Sequence, residues 1–331
     1  MSPAWEPGSA TGIGSLPGTD PSEAMRIVVG ELPEFPHLPE LPARGPGAAM
    51  IGRTAALLVD LPVEIAPSGW RITARGGREL RHARELLARD LDALQSVAGE
   101  HVGALKIQVT GPWTLAAGIE LATGHRILTD HGAVRDLVAS LAEGIGAHCA
   151  EVQARVPSAS LVVQLDEPSL PAVLAGTLPT ASGYGTVRSI EASVVEAGLR
   201  EVLEVVTAGG RLVHCCAPDA PIELLGAAGA DAIAIDASLI GSQLDELGAF
   251  VDGGGALLLG VIPSTDATVT HADGTAAVWR IWRTLGFPDG AAAASVVPTP
   301  ACGLAGATPD DARHAMRVVR DIGRALREVS G

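Results

Sequence analysis

The stretch that decides the fold is RLVHCCAPDAPIELLGAAGADAIAIDAS, residues 211–238. A short apolar run, 211–219, is followed by a loop with two prolines, a helix-like stretch and a second apolar run, 232–238. Both runs are almost continuously apolar rather than alternating, which is typical of strands buried on both faces of a parallel sheet. The stretch therefore predicts a strand, a crossover helix and a second, parallel strand.

The same unit recurs along the chain. Amphipathic segments such as 133–154 and 308–329 separate the apolar runs, and Thr308 is placed to cap the last one. Seven apolar runs are clear, and an eighth falls at 35–47 or 63–72; the seven are 11–17, 104–112, 160–169, 211–219, 232–238, 256–264 and 294–303. Eight such units predict an α/β fold, a (β/α)8 TIM barrel that forms a single domain over residues 1–331. A doubly wound open sheet is the alternative, but no G-x-G-x-x-G follows a strand.

Composition limits the function. The 331 residues carry a formal net charge of −15 and a single lysine, Lys106, so binding to nucleic acid or to anionic membranes is disfavoured. The N-terminus shows no signal-peptide pattern, and the four cysteines are unevenly spaced, unlike a disulfide framework. We expect a cytoplasmic protein.

Polar residues collect at the predicted carboxyl ends of the strands, which in a barrel converge on the face where active sites lie. On the run 211–219, His214 and Cys216 share a face because side chains alternate along a strand, whereas Cys215 points towards the helices. Asp236 and Cys302 end two further runs. Two thiolates, one imidazole and one carboxylate form a ligand set that Zn²⁺ takes, and soft sulfur argues against Mg²⁺ or Ca²⁺.

Ordinary structural roles compete with these assignments. Free cysteines are usually buried packing residues, which is our interpretation of Cys215 and Cys149. Asp166 and Glu167 form an acidic pair at a strand end, and such a pair also serves as a helix cap or a surface pair. The glycine-rich turn around Ser15 has backbone N–H groups suited to an anion.

Five motifs occur in the order seen in the catalytic barrel of cobalamin-independent methionine synthase, and the chain resembles that family from about residue 10 to residue 305. They are TGIGSLPGT (11–19), VTGPWTLA (109–116), VVQLDEPSL (162–170), VHCC followed by DAIAIDAS (213–216 and 231–238), and PACGL (300–304). The wider family also holds uroporphyrinogen decarboxylase. The resemblance implies a TIM barrel that binds zinc and alkylates a thiol.

The resemblance also implies roles for individual residues. His214, Cys216, Asp236 and Cys302 match the zinc ligands, with aspartate in place of the family's glutamate. Gly14 and Ser15 match the residues that hold the substrate carboxylate. Asp166 matches the aspartate that takes the substrate amino group, and we expect it to be both catalytic and substrate-binding. Glu40 and Glu64 are the candidates for a second amino-group carboxylate.

Two departures concern the methyl donor. Where the family has a catalytic histidine in a loop, this chain reads GVIPSTD (260–266), and Thr265 lies near the position of that histidine. The aromatic residue that the family uses to bind folate is expected within 114–124, and this segment contains none. The leading hypothesis is a zinc-dependent methyltransferase acting on homocysteine or a similar thiol, with a folate or a methylcorrinoid protein as donor. The alternatives are a barrel that binds zinc or a thiol without turnover, and a decarboxylase-like enzyme that would use Arg44 and Arg53 to hold carboxylates.

Overall fold

Six parallel strands form one curved sheet in the computed structural model, which describes residues 4–180, 183–207, 209–265 and 268–330. The strand order is β3-β5-β6-β7-β8-β9, and a separate three-stranded sheet has the order β1-β2-β4. The strands are β1 (Val63–Ala66), β2 (Gly69–Ile72), β3 (Gly103–Thr110), β4 (Ile119–Glu120), β5 (Ala159–Asp166), β6 (Gly210–Cys215), β7 (Ala232–Asp236), β8 (Ala256–Ile262) and β9 (Val296–Pro300).

Helices connect the parallel strands and cover the outside of the sheet. They are α1 (Pro21–Glu31), α2 (Met50–Ala55), α3 (Arg78–Ala98), α4 (Pro112–Gly118), α5 (His131–Arg155), α6 (Leu170–Ala175), α7 (Ala192–Glu204), α8 (Ile222–Ala227), α9 (Leu244–Asp252), α10 (His271–Thr284), α11 (Ala292–Ser295) and α12 (Pro309–Ser330). Thr308 begins α12 as predicted, because its hydroxyl oxygen accepts a hydrogen bond from the backbone N–H of Asp311. None of the helices in these described ranges combines the length and apolarity needed to cross a bilayer.

Two extended segments close the sheet into a barrel. The backbone N–H of Thr11 donates to Pro298 on β9 over 3.4 Å, and the N–H of Leu16 donates to Glu40 over 2.8 Å. On the other side, the N–H of Leu38 donates to Lys106 on β3. The six-stranded sheet fills six of the eight strand positions of a barrel. The segments 11–16 and 36–40 take the other two, which confirms the predicted barrel. The eighth strand position falls in the first of the two predicted places, and 63–72 is instead the β1–β2 hairpin outside the barrel.

Strand alternation divides the core into two parts. Leu105, Val163 and Val213 belong to the large cluster between the sheet and the helices. Their neighbours Ala104, Val162 and Leu212 belong to a smaller cluster inside the barrel, with stacked Trp5 and Phe35. Further along the same strands the interior becomes polar, so the carboxyl half of the barrel carries the groups capable of chemistry.

Candidate metal centre

One histidine and two cysteines meet at the carboxyl ends of the strands. His214 lies near the end of β6, Cys216 follows that strand, and Cys302 follows β9. One ligand atom from each lies within 4.8 Å of the other two, and the two sulfurs are 3.4 Å apart. Tetrahedral zinc with Zn–S bonds of about 2.3 Å places two sulfur ligands about 3.8 Å apart. The spacing of this group is therefore close to what a metal ion requires.

Alternation on β6 decides which of the adjacent cysteines joins the group. His214 is buried inside the barrel, and Cys216 lies on the same side two residues later. Cys215 is 1% exposed and packs in the cluster between the sheet and the helices. Cys149 lies half-buried on α5 against the same cluster. The packing roles predicted for Cys215 and Cys149 agree with these positions.

The two sulfurs of the group affect each other's ionisation. Their hydrogen bond lowers the pKa of Cys302 to about 6 and raises the pKa of Cys216. Ser264, in the loop after β8, accepts a 3.1 Å hydrogen bond from the backbone N–H of Cys302 and holds that loop in place. A lowered thiol pKa favours the thiolate, which is the form of cysteine that binds metals.

His214 is oriented by a carboxylate. The register of the sheet places Asp166 directly beside His214, and Asp166 Oδ1 lies 2.9 Å from His214 Nδ1. His214 Nε2 is buried and has no hydrogen-bond partner among the described residues. Metal-ligating histidines commonly bind a carboxylate through the other ring nitrogen. The orphaned Nε2 and the two sulfurs beside it fit a zinc ion.

Asp236, the predicted fourth ligand, lies outside this group. It is half-buried at the end of β7, and its Oδ1 accepts hydrogen bonds from the backbone N–H and the hydroxyl of Ser238 over 2.8 and 2.7 Å. Among the described residues, the group whose ligand atoms lie within 4.8 Å of one another contains His214, Cys216 and Cys302 without Asp236. A short acidic side chain at a strand end readily caps the turn that follows it, and the role of Asp236 as a metal ligand stays a prediction.

The residues predicted to hold a substrate surround the same centre. Ser15 pairs with Glu40, and a Cβ added to Gly303 would lie 2.1 Å from Ser15 Oγ, so Ser15 lies next to the Cys302 loop. Gly14 packs closely against the side chain of Gln108 in the barrel interior. Burial raises the pKa of Glu40 to about 7.

Two other predicted positions lie outside this arrangement. Glu64 is exposed on β1, in the separate sheet, so Glu40 is the better of the two carboxylate candidates. Thr265 is exposed after β8, and Asp266, the end of the predicted loop motif, lies outside the described residues.

Glu167, the second acid of the predicted pair, is a cap. It is fully buried and accepts hydrogen bonds from the backbone N–H groups of Trp113 and Thr114 and from the Thr114 hydroxyl, over 2.9, 2.8 and 2.7 Å. A Cβ on Gly111 would lie 2.3 Å from its Oε1, which explains the glycine at that position. Glu167 therefore ties the end of β5 to the start of α4.

Arg44 and Arg53 are held by a buried carboxylate. Arg44 Nη1 lies 2.7 Å from Asp90 Oδ1, and Arg53 Nη1 bonds to Asp90 Oδ2. Arg53 Nε also lies 3.6 Å from Glu40. Both arginines thus already have carboxylate partners within the protein, which weighs against the carboxylate-binding role that the decarboxylase hypothesis gives them.

A cavity of about 920 Å³ opens at the opposite end of the barrel. It is lined by Gly210 and Ala256, the first residues of β6 and β8, by Ser295, which directly precedes β9, and by Phe250. It contains none of the predicted site residues. Size alone therefore does not locate the functional site here, and the chemistry of the side chains does.

The contact between Asp166 and His214 gives a first prediction. Asp166→Ala should weaken zinc binding about 10- to 100-fold, the usual cost of losing the outer partner of a metal histidine. Asp166→Asn is the matched control, since its amide oxygen still accepts from His214 Nδ1, and its loss should be smaller. Competition with a chromophoric chelator measures both, and wild-type affinity in Asp166→Ala would contradict this role.

The fold and the cluster define a class of protein, a TIM barrel with a histidine and two cysteines grouped at the carboxyl ends of its strands. The family described as "Cobalamin-independent synthase, Catalytic domain" matches residues 9–325, so the chain belongs to that family. This membership supports a methyltransferase.

A solved structure supports the fold. A B12-independent methionine synthase from a Shewanella species, in complex with selenomethionine, superposes with a TM-score of 0.63 at 11% identity over 98% of both chains. The GH5_18 protein from Streptomyces cattleya, in complex with GlcNAc, has a TM-score of 0.46 at 15% identity, covering 99% of this chain and 81% of that one, and it carries no argument. No curated protein sequence matches the chain.

Proposed function

We propose that this protein is a zinc-dependent S-methyltransferase that methylates a small amino-acid thiol, homocysteine or a close analogue. The observation that carries the proposal is the orphaned, buried His214 Nε2 beside the Cys216 and Cys302 sulfurs. Family membership supplies independent support for methyl transfer. In the reaction the thiol sulfur takes a methyl group from the donor and releases its proton.

His214, Cys216 and Cys302 would hold the metal. Three protein ligands are the number found at catalytic zinc sites, which keep one position open. Zinc there supplies a Lewis acid that favours the thiolate form of a substrate thiol. Asp166 keeps the His214 ring oriented, and Ser264 holds the backbone of the Cys302 loop.

The remaining residues would position the amino-acid end of the substrate. Ser15 lies beside the Cys302 loop, where the turn at Gly14 can receive a carboxylate. Glu40 pairs with Ser15 and is buried, and its carboxylate and that of Asp166 would receive the ammonium group. Holding the carboxylate and the ammonium group of the substrate would direct its thiol towards the metal ligands, and such positioning reduces the entropic barrier to reaction.

The experiment is a methyl-transfer assay on the zinc-loaded protein with homocysteine and two donors, methyltetrahydrofolate and methylcobalamin. We expect methionine from at least one donor, and none after removal of zinc. We expect less transfer from the folate than from methylcobalamin, because residues 260–265, where the family has its catalytic histidine, contain none. Failure with both donors while homocysteine still binds in a zinc-dependent manner would favour the second candidate, a thiol-binding barrel without turnover.

A further inference from the structure

The cavity at the amino-terminal end of the barrel has no role in the proposed function. Its volume of about 920 Å³ lies within the range of about 300–1,000 Å³ that is usual for small-molecule sites. Of the 21 described residues that line it, six are glycines and six are alanines, so few side chains are long enough to fill the space. The local sequence therefore creates the cavity, and the run of three glycines at 253–255 is the clearest part of that signal.

One end of the cavity is acidic. The helices α8 and α9 each lead back from a strand to the amino-terminal end of the barrel and contact each other, so their first turns lie at the same end. Glu223 lies in the first turn of α8, Asp245 and Glu246 lie in the first turn of α9, and all three line the cavity. The three side chains are exposed and have no ion-pair or hydrogen-bond partner among the described residues.

No base among the described lining residues balances these charges. Asp231, a fourth acid in the wall, is already paired, because Arg211 Nε and Nη2 each donate to its carboxylate over 2.9 Å. Arg200 donates to the backbone oxygen of Ala227 at the rim of the cavity and pairs with Glu196. Both arginines thus have acidic partners of their own, and the net charge at the acidic end attracts a cation.

The other end of the cavity is apolar and aromatic. Phe250 lies in the last turn of α9, and Trp5 lies against Gly210 at the start of β6. Trp5 is 5% exposed and is fixed by stacking on Phe35, with ring centroids 5.2 Å apart. Its indole Nε1 is buried and has no hydrogen-bond partner among the described residues, so the cavity wall contains an unpaired donor. An aromatic ring of a ligand can accept from such an N–H group.

We propose that this cavity is a binding site for an organic cation, with an ammonium group beside Glu223, Asp245 and Glu246 and an aromatic body against Trp5 and Phe250. The nine residues of α9 span about 13 Å, so a ligand with roughly 10 Å between its charge and its aromatic end fits. The site lies at the opposite end of the barrel from the metal centre. It therefore does not depend on the proposed function.

Calorimetric titration of the zinc-loaded protein with three probes of similar shape tests the class of ligand. At neutral pH, 4-phenylbutylamine is a cation, 4-phenyl-1-butanol is neutral and 4-phenylbutyrate is an anion. We expect the amine to bind about 10-fold more tightly than the alcohol, because each exposed ion pair contributes a few-fold, and we expect no measurable binding of the butyrate. High salt should remove most of the difference between the amine and the alcohol.

Three variants locate the site. Ala249→Phe introduces a large side chain into the cavity from an exposed position on α9 and should abolish binding of the amine. The triple variant Glu223→Gln, Asp245→Asn, Glu246→Gln should bind the amine and the alcohol equally. Asp252→Asn is the matched control, because it removes an exposed acid of α9 that does not line the cavity, and it should bind the amine as the wild type does. All three should keep the melting temperature and the zinc affinity of the wild type.

Equal binding of the three probes, no binding of the amine, or amine binding that persists in Ala249→Phe would overturn the proposal. A wild-type dimer in sedimentation that Ala249→Phe converts to a monomer would also overturn it, since a second copy of the chain would then occupy the cavity. Failure of zinc binding or of methyl transfer would overturn the proposed function alone, because these readouts report on the other end of the barrel.

Discussion

Cys216→Ala should abolish stoichiometric zinc binding, lowering the affinity by more than about 100-fold, because the loss of a direct ligand exceeds the 10- to 100-fold cost of losing an outer partner. Methyl transfer to homocysteine should disappear with it. The prediction rests on the 3.4 Å spacing of Cys216 and Cys302 and on the ligand atoms grouped within 4.8 Å. Metal analysis of the purified protein and chelator competition measure the effect.

The adjacent residue supplies the control. Cys215→Ala should retain zinc and lose only about 1 kcal/mol of stability, the cost of deleting a small buried group. Cys215 faces the helices and is 1% exposed, so its sulfur does not reach the metal group. A Cys215→Ala variant without zinc, or a Cys216→Ala variant with its full complement, would contradict the assignment of the two cysteines.

Glu167→Ala should reduce the free energy of unfolding by about 3–5 kcal/mol. It leaves two backbone N–H groups, those of Trp113 and Thr114, and the Thr114 hydroxyl without their acceptor. Each buried donor left unpaired costs about 1–3 kcal/mol. Thr114→Val is the control, because it removes the two bonds of the hydroxyl, to Glu167 and from the Ser169 N–H, but keeps both backbone donors paired, and it should cost about 1–2 kcal/mol. Urea denaturation measures both, and equal losses in the two variants would refute the capping role.

The pH dependence of stability tests the same residue in another way. Burial raises the pKa of Glu167 to about 7 from an ordinary value of 4.5, although the hydrogen bonds from Trp113 and Thr114 lower it. The folded protein thus binds this proton more tightly than the unfolded chain, so stability from this group is present below pH 4.5 and is lost as the pH rises through 7. Glu167→Gln does not titrate there, and the stability difference between wild type and variant should decrease over that window. A constant difference would show that Glu167 has an ordinary pKa.

Several polar residues of the barrel interior carried a signal in the sequence that we did not use. Lys106 and Gln108 alternate within the apolar run 104–112, and Gln164 stands two residues before Asp166 in the next run. A polar residue at every second position of a buried strand indicates an interior network. Their partners were not predictable, because Ile13 and Leu38 come from distant segments that only barrel closure brings near.

The sequence alone determined the periodicities. Continuous apolar runs separated by helices specified parallel strands, and therefore a barrel with its polar residues at one end. Strand alternation on 211–219 placed His214 and Cys216 on one face and Cys215 on the other, as the structure has them. These are local properties of the chain, set by backbone geometry, and they do not depend on which strands lie next to each other.

Only the tertiary structure decided the register and the closure of the barrel. Pairing of β5 with β6 puts Asp166 beside His214, which gives that carboxylate a partner within the protein. In the turn after β7, Asp236 accepts a hydrogen bond from the Ser238 backbone N–H. Register depends on hydrogen bonds between segments far apart in the chain, and no local pattern encodes which residue lies opposite which. For that reason the sequence identified the ligand types, and the fold decided which of them meet.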